Sequence, residues 1–280
     1  MLLAILLGCS SDSSKDTVTL GSCSADEGGE TITTVVNTLT YARQVDGIAN
    51  GFNLDGVISD NEDETGCFKP DLVSPDGTLG VDNAFSALIP ALESTEAVAL
   101  ETLIQNSINN GELLLMLEIS GIDDWQNDDC VSVGIYRATG VPLVGTDGLL
   151  LDGQSFKRDW DLPWSQVEQV SIVDGVLNAV PMDIELPVQV LDEFLELEMH
   201  DGGVHMTINE DHTMDGFFGG AVPINIFTDI VTLPDVNIPD AIVSLIAAAA
   251  DVFPDENGVC QDMSVAFEIT ALPGFFYPEE

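Results

Sequence analysis

The sequence predicts a mainly β fold, an antiparallel β-sandwich with a few short helices. Short apolar or alternating segments recur along the 280 residues and are separated by turn residues, as in sandwich proteins. Hydrophobic residues make up 45% of the chain, so it can bury a core despite its acidity. We therefore expect a single sandwich domain over residues 31–280, with a helical insert at about residues 83–110.

The first elements in chain order are a segment of undecided type and two helices. Residues 31–50 combine a loose helical spacing of apolar residues with threonines that favour a strand, so both assignments stay open. One short helix is predicted over Asn83–Leu92 and a second over Thr95–Asn109, where leucines and isoleucines form one stripe. Asn110-Gly111 then supplies the stop.

The period of the apolar residues changes after the second helix, and strands follow. Continuous apolar runs predict buried strands at Leu113–Leu117 and Val131–Tyr136. Asp174-Gly175 separates two further segments and is a strong signal for a two-residue hairpin turn. A last helix is predicted over Pro239–Ala250. The remaining strands are predicted at Val167–Val173, Val176–Val180, Ile184–Val190 and Met263–Ala271.

A second hairpin is predicted over Leu195–Ile208. A turn at Gly202-Gly203 places apolar pairs on one face and polar pairs on the other, as a half-buried hairpin requires. This register sets His200 opposite His205 on the polar face. Two imidazoles there could bind a transition metal, but a solvent-exposed pair is the favoured interpretation.

The charge balance limits the classes of partner. The chain has 49 acidic and 6 basic residues, a net charge of −43, and nucleic acid is excluded because phosphate binding needs a basic stripe. From Asp159 to Glu280 there is no Lys or Arg, so ion pairs cannot organise that half. The repulsion must be screened by salt, offset by bound cations or tolerated, and both salt adaptation and Ca²⁺ binding stay open as interpretations.

The N-terminus carries a short apolar run that ends in Leu-Leu-Gly-Cys and drops into a Ser/Asp tract. This pattern resembles a bacterial lipoprotein signal with its lipobox. The resemblance implies a signal peptide over residues 1–8, a lipid on the Cys9 thiol and a place in the cell envelope, at the outer membrane or surface. Residues 9–30 are predicted to form a flexible acidic tether between that membrane anchor and the domain over residues 31–280.

The cysteines agree with export. Without Cys9, an even number remains, namely Cys23, Cys67, Cys130 and Cys260. No C-x-x-C spacing is present, so two disulfides are predicted, with their connectivity open.

The best candidate for a metal site is a pair of Asp/Asn-Gly loops. Asn53 and Asp55 precede Gly56, and Asp76 precedes a second loop. The metal ligands expected from both loops are Asn53, Asp55, Asp76, Asp82 and Asn83. These pieces resemble the calcium loops of thrombospondin type 3 repeats and EF-hand-like modules, which implies Ca²⁺. The alternative is ordinary turns of an acidic chain.

Weaker acidic groups occur next to two of the cysteines. They are Asp123-Asp124 with Asp128-Asp129, and Asp251 with Asp255-Glu256-Asn257 and Asp262. Solvated loops are the favoured interpretation for both.

Trp160 and Trp164 form the best candidate for a small-ligand site. Aromatic rings near carboxylates are typical stacking platforms for sugars, although anchoring of a loop onto the core is the favoured interpretation. The sequence has no G-x-S-x-G, P-loop or G-x-G-x-x-G motif.

The function predicted from these features is a non-enzymatic binding or structural role at the cell envelope, with a fold stabilised by Ca²⁺. A carbohydrate or an envelope protein is the expected partner. The alternatives are a polysaccharide-acting hydrolase or lyase, and a carrier of an apolar ligand.

Overall fold

The computed structural model describes residues 29–64, 67–190, 193–231 and 239–278. The strands are β1 (Glu30–Tyr41), β2 (Leu72–Val73), β3 (Leu79–Val81), β4 (Leu114–Ile122), β5 (Asp128–Thr139), β6 (Gln154–Arg158), β7 (Ser165–Val173), β8 (Val176–Val190), β9 (Glu193–Ile208), β10 (Met214–Pro223), β11 (Val252–Pro254) and β12 (Cys260–Phe276). The helices are α1 (Phe85–Glu93), α2 (Leu100–Asn110), α3 (Ile224–Val231) and α4 (Asp240–Ala247), with a 3₁₀ turn at Glu96–Ala99. The proposed signal peptide, Cys9, Cys23 and nearly all of the tether lie outside the described residues.

Eight antiparallel strands close into a β-barrel, so the prediction of a β-sandwich was wrong. The order around the barrel is β1-β4-β5-β7-β8-β9-β10-β12, and β12 pairs again with β1. Sandwiches and barrels share the same alternation of buried and exposed residues along each strand. Only the pairing of the first long strand with the last distinguishes them, and no local pattern encodes that pairing.

The second predicted hairpin was also wrong, because Leu195–Ile208 belongs to one continuous strand, β9. Gly202 and Gly203 lie inside this strand, where a Cβ on Gly202 would meet the backbone of Gly219 on β10. The register between β9 and β10 also shifts nearby. These glycines therefore permit close strand approach at a bulge rather than a turn.

Most other predicted elements are confirmed. The first part of the undecided segment 31–50 forms β1, the apolar runs lie in β4 and β5, and Asp174-Gly175 joins β7 to β8 as a tight hairpin. Both residues of that turn have positive φ, 52° and 77°, as a two-residue hairpin of this type requires. The strands predicted at Val176–Val180 and Ile184–Val190 are one continuous strand, β8. The predicted helices correspond to α1, α2 and α4, and Gly111 ends α2 with φ 81°.

The described interior of the barrel is filled by side chains. Every methionine among the described residues is buried, and each is at most 3% exposed. Met116 lies on the outer face of β4, on the same side as Glu118, and the others are Met182, Met199, Met206, Met214 and Met263. Thr34 from β1 donates a hydrogen bond across the interior to the sulfur of Met214 on β10. Flexible thioethers fit an irregular interior of this kind.

The rest of the chain covers the outside of the barrel. Helix α2 packs on β1 and α1 packs near β12, and α2 thereby helps to bury the outer face of β1. Strand β6 pairs with β5 and, in parallel, with the end of β12. No helix of the described residues combines the length and the apolar character needed to cross a membrane.

Candidate functional site

An acidic pocket of about 380 Å³ lies between the β2–β3 hairpin, α1 and α4. Asp71, Asp82 and Asp251 line it and come from three separate parts of the chain. The opposite wall is mostly apolar and is formed by Ala84, Ala87, Leu88, Ala91, Leu245, Ala248 and Ala249. Carboxylates facing an apolar wall lose hydration, which makes their ionised form costly.

Asp82 sits at the centre of the pocket, directly after β3. It is 5% exposed, and its Oδ2 accepts a hydrogen bond from the backbone N–H of Leu54 at 2.7 Å. Burial raises the pKa of Asp82 to about 8, and the negative charges of Asp55, Asp251 and Asp71 add to the rise. At pH 7 a carboxyl with this pKa is therefore protonated about ten times as often as it is ionised.

Asp71 lies near Asp82 and anchors the neighbouring loop. The negative charge of Asp71 contributes to the raised pKa of Asp82. The backbone N–H of Ser59 donates to Oδ2 of Asp71 at 2.6 Å. Burial raises the pKa of Asp71, and Asp55 and Asp63 contribute to the shift.

Two buried oxygen atoms beside this pair have no hydrogen-bond partner within the described part of the chain. They are Oδ2 of Asp55 and Oγ of Ser59. Ser59 is 6% exposed. Its backbone N–H already donates to Asp71, so its hydroxyl lies close to that carboxyl. Buried polar atoms are normally satisfied, so such oxygens indicate a missing partner.

Asp251 completes the pocket from the segment that precedes β11. Its Oδ1 accepts from the backbone N–H of Ser264 at 2.8 Å, and its Oδ2 accepts from the hydroxyl of the same residue. Burial raises the pKa of Asp251 to about 6 although both hydrogen bonds lower it. Ser264 also accepts from the N–H of Ala84, which ties this carboxyl to the start of α1.

Little positive charge faces these carboxylates. Lys69 lines the pocket, but its side chain is exposed and forms no ion pair with a carboxylate of the described residues. In the same part of the chain, no three His, Cys, Asp or Glu side chains are arranged as a ready-made metal site. The pocket offers hard oxygen donors, which suit Ca²⁺ better than a transition metal.

The structure separates the residues predicted as metal ligands. Asp82 lines the acidic pocket, and Asp55 lies beside it, since the backbone N–H of Asp55 donates to Oδ2 of Asp82 at 3.4 Å. Asn53 accepts from Gly56 N–H and donates to the carbonyl of Val57, so it holds its own loop.

The other two predicted ligands take no direct part. Asn83 lines the pocket but is buried, and its amide donates to the carbonyls of Ala42 and Asn50. Asp76 is exposed in the β2–β3 turn, where hydrogen bonds from Ser74 and Thr78 lower its pKa to about 2. Asp71 and Asp251 line the pocket but were not predicted as ligands, and Ser59 lies beside it through its backbone hydrogen bond to Asp71.

Trp160 and Trp164 form an aromatic cluster on the outside of β5. Their rings lie 5.9 Å apart, and each lies 5.9 Å from Tyr136. Arg158 is placed 4.0 Å from the ring centres of both Tyr136 and Phe276, and it forms an ion pair with Glu118. The two tryptophans remain 50% and 48% exposed, so they leave a surface open to a ligand.

The three histidines do not form a cluster. His200 and His205 lie on the same strand, five positions apart, rather than opposite each other. His200 stacks on Phe253 and lies 3.6 Å from a carboxylate oxygen of Asp262. His205 stacks on Phe217 at 4.9 Å, and burial lowers its pKa.

The weaker acidic groups mostly serve their own loops. Asp128 accepts from the N–H of Asp123 and of Cys130, and Asp255 accepts from Asn257 and Val259. Asp251 is the exception, since it belongs to the acidic pocket.

A disulfide joins Cys67 to Cys260, which confirms one predicted use of the cysteines. It connects the loop before Asp71 to the start of β12, close to the segment of Asp251. Cys130 is disulfide-bonded as well.

Comparison with known proteins finds no matching family model, no matching curated protein and no matching solved structure. No family or activity is therefore transferred to this chain, and its function is inferred from its own residues.

Proposed function

We propose that this protein is an exported, lipid-anchored lipoprotein of the cell envelope with a binding or structural role, whose fold is stabilised by Ca²⁺. The lipobox-type N-terminus supports the anchor at Cys9 and the location. The observation that carries the calcium part is the acidic pocket, which is lined by Asp71, Asp82 and Asp251 with almost no positive charge. Unpartnered oxygens of Asp55 and Ser59 lie beside it.

A divalent cation would reverse the energetics of this pocket. Like charges within a few ångströms destabilise one another, and burial strengthens the effect. Ca²⁺ accepts six to eight oxygens in flexible geometry, which side chains and water can supply together. The protein donors would come from Asp55, Asp71, Asp82, Asp251 and Ser59 after small side-chain movements.

The aromatic cluster supports the binding role. Trp160 and Trp164 are half exposed, and tryptophan, tyrosine and arginine are the residues that dominate binding surfaces. A carbohydrate or an envelope protein would contact this surface in the proposed role.

The alternative of an apolar-ligand carrier has less support. The described barrel interior is filled by buried side chains, which leaves little space for an apolar cargo.

The test is thermal melting of the purified protein in chelator and in millimolar CaCl₂. Binding at about 100 times Kd adds about 2.7 kcal/mol, which for a chain of this size raises Tm by about 5–10 °C. Asp82→Asn keeps the shape of the side chain and should abolish most of this rise, whereas Glu256→Gln, on an exposed loop, should retain it.

Two outcomes would count against calcium. One is a melting temperature that is equal in chelator and CaCl₂. The other is an equal calcium response in wild type and Asp82→Asn, which would place the ion outside the acidic pocket.

A further inference from the structure

A polar groove of about 450 Å³ runs across the outside of four neighbouring barrel strands, β1, β12, β10 and β9. The strand register aligns its side chains in two rows. The first row contains Thr38, Thr270, Asp215 and Thr207. The second row contains Thr40, Glu268, Phe217 and His205. From strand spacing, this grid is about 14 Å wide and about 7 Å tall.

Neighbouring amides orient both carboxylates of the groove. Asn50 donates to Oε1 of Glu268 at 3.0 Å, and Asn209 donates to Oδ2 of Asp215 at 2.9 Å. Each carboxylate therefore presents its other oxygen in a defined direction. The Thr38 and Thr270 hydroxyls hydrogen-bond to each other at 2.7 Å, so they too are held in place.

Aromatic side chains build up one end of the groove. The ring of Phe217 lies between the ring of His205, at 4.9 Å, and that of Phe52, at 5.0 Å. Phe52 is fixed because its carbonyl accepts from the N–H of Asp82. Asp76, on the β2–β3 turn, interacts electrostatically with His205 and brings that turn to the same end.

The chemistry of the groove selects a neutral, polyhydroxylated ligand. Two carboxylates and no Lys or Arg line it, which repels anions. Threonine hydroxyls and a neutral imidazole both donate and accept hydrogen bonds, whereas carboxylates only accept. Sugar hydroxyls match this mixture because each of them also donates and accepts. A simple cation would use the carboxylates and leave the threonine rows without a role.

We propose that the groove of β1, β12, β10 and β9 binds a neutral oligosaccharide, with Asp215 and Glu268 accepting hydrogen bonds from sugar hydroxyls. The width of the rows suits two or three sugar units laid across the strands. This site is separate from the aromatic cluster and does not depend on Ca²⁺ in the acidic pocket.

The experiment is titration of the full-length protein with maltotriose, cellotriose, chitotriose and mannotriose, followed by NMR or calorimetry. Each sugar is raised to about 10 mM, which detects binding down to millimolar Kd. At least one sugar should bind. Asp215→Asn and Glu268→Gln should each weaken it about tenfold, because the amide oxygen that remains is an uncharged and weaker acceptor.

Matched variants separate the groove from other surfaces. Glu168→Gln changes an exposed carboxylate on β7 and should leave sugar binding unchanged. Asp215 and Glu268 are exposed, so their variants should fold, and melting curves verify this. The proposal is overturned if none of the four sugars binds, or if Trp160→Ala abolishes binding that Asp215→Asn and Glu268→Gln retain.

Discussion

Asp82 shows how one side chain can couple a loop to the charge state of the protein. It accepts from Leu54 N–H and so fixes the turn that carries Asp55. The same residue is buried among three other carboxyls, and this raises its pKa to about 8. Its hydrogen bonds favour the folded loop, while its ionisation opposes the folded pocket.

The raised pKa values of Asp82 and Asp251 predict a pH dependence of stability in chelator. Their folded pKa values of about 8 and about 6 exceed the ordinary value of 3.8, so the folded state binds more protons than the unfolded state. The stabilisation that these two groups contribute is fully present below about pH 4. It is lost as pH rises through about 6 for Asp251 and about 8 for Asp82. We expect Tm to fall by about 3–6 °C per pH unit in this window.

Melting curves between pH 5 and pH 9 in chelator measure this slope. Asp82→Asn should flatten it between pH 6 and pH 8, because the amide does not titrate. Saturating CaCl₂ should stabilise most at high pH, where protons no longer compete for the carboxylates. A slope that is unchanged in Asp82→Asn would mean that other groups cause it.

At the scale of elements, the acidic pocket depends on a covalent link between distant parts of the chain. The Cys67–Cys260 disulfide joins residues 193 positions apart. It attaches the loop that carries Ser59 and Asp71 to the β11–β12 turn, where Asp251 precedes β11. Asp251 in turn is bonded through Ser264 to α1. The pocket is therefore assembled from a loop, a helix and two strands.

Removal of this disulfide should lower stability and weaken the calcium response together. Closing so long a loop stabilises a protein by about 2–5 kcal/mol, so Cys67→Ser/Cys260→Ser should lower Tm by about 5–15 °C. The CaCl₂-induced rise should shrink as well, because Asp71 loses its tether to the segment of Asp251.

Calorimetry of the double variant with and without CaCl₂ measures both effects. A full calcium response in a destabilised variant would show that the tether does not organise the ion site. Chemical reduction of the wild-type protein is not an equivalent test, because it would also reduce the disulfide of Cys130.

At the scale of the whole molecule, the net charge of −43 has few internal counterions. Arg43 pairs with Glu93 and Glu101, and Arg158 pairs with Glu118. Most carboxylates lie on the surface and repel one another through solvent. At physiological salt the Debye length is about 8 Å, so this repulsion is only partly screened.

High salt should therefore stabilise every variant by a similar amount, in contrast to calcium. In 1 M NaCl the Debye length falls to about 3 Å, and we expect Tm to rise by several degrees in wild type and Asp82→Asn alike. Melting in NaCl, in CaCl₂ and in both together separates the two effects. If NaCl raised Tm in the wild type but not in Asp82→Asn, the salt effect would arise in the acidic pocket instead of from the overall charge.

Part of the candidate site could be predicted from local chemistry. Asp55 and Asp82 stand out because Asp/Asn-Gly loops of this kind converge oxygen atoms. Asp71 carries no local signal, and Asp251 occurs in an acidic loop like many others. Ser59 could not be predicted from the sequence, because its hydroxyl differs from that of other serines only through its burial.

The sequence by itself determined the features that depend on neighbours along the chain. The Asp174-Gly175 hairpin, the Gly111 helix stop and the apolar runs of β4 and β5 follow from backbone preference and local burial pattern. The tertiary structure decided the features that depend on distant partners. Pairing of β1 with β12 makes a barrel instead of a sandwich, and the close approach of β10 turns Gly202 from a turn residue into a bulge residue. The physical reason is the same for the barrel closure and for the bulge at Gly202. Contacts between residues distant in sequence set strand pairing and burial, and local periodicity does not encode those contacts.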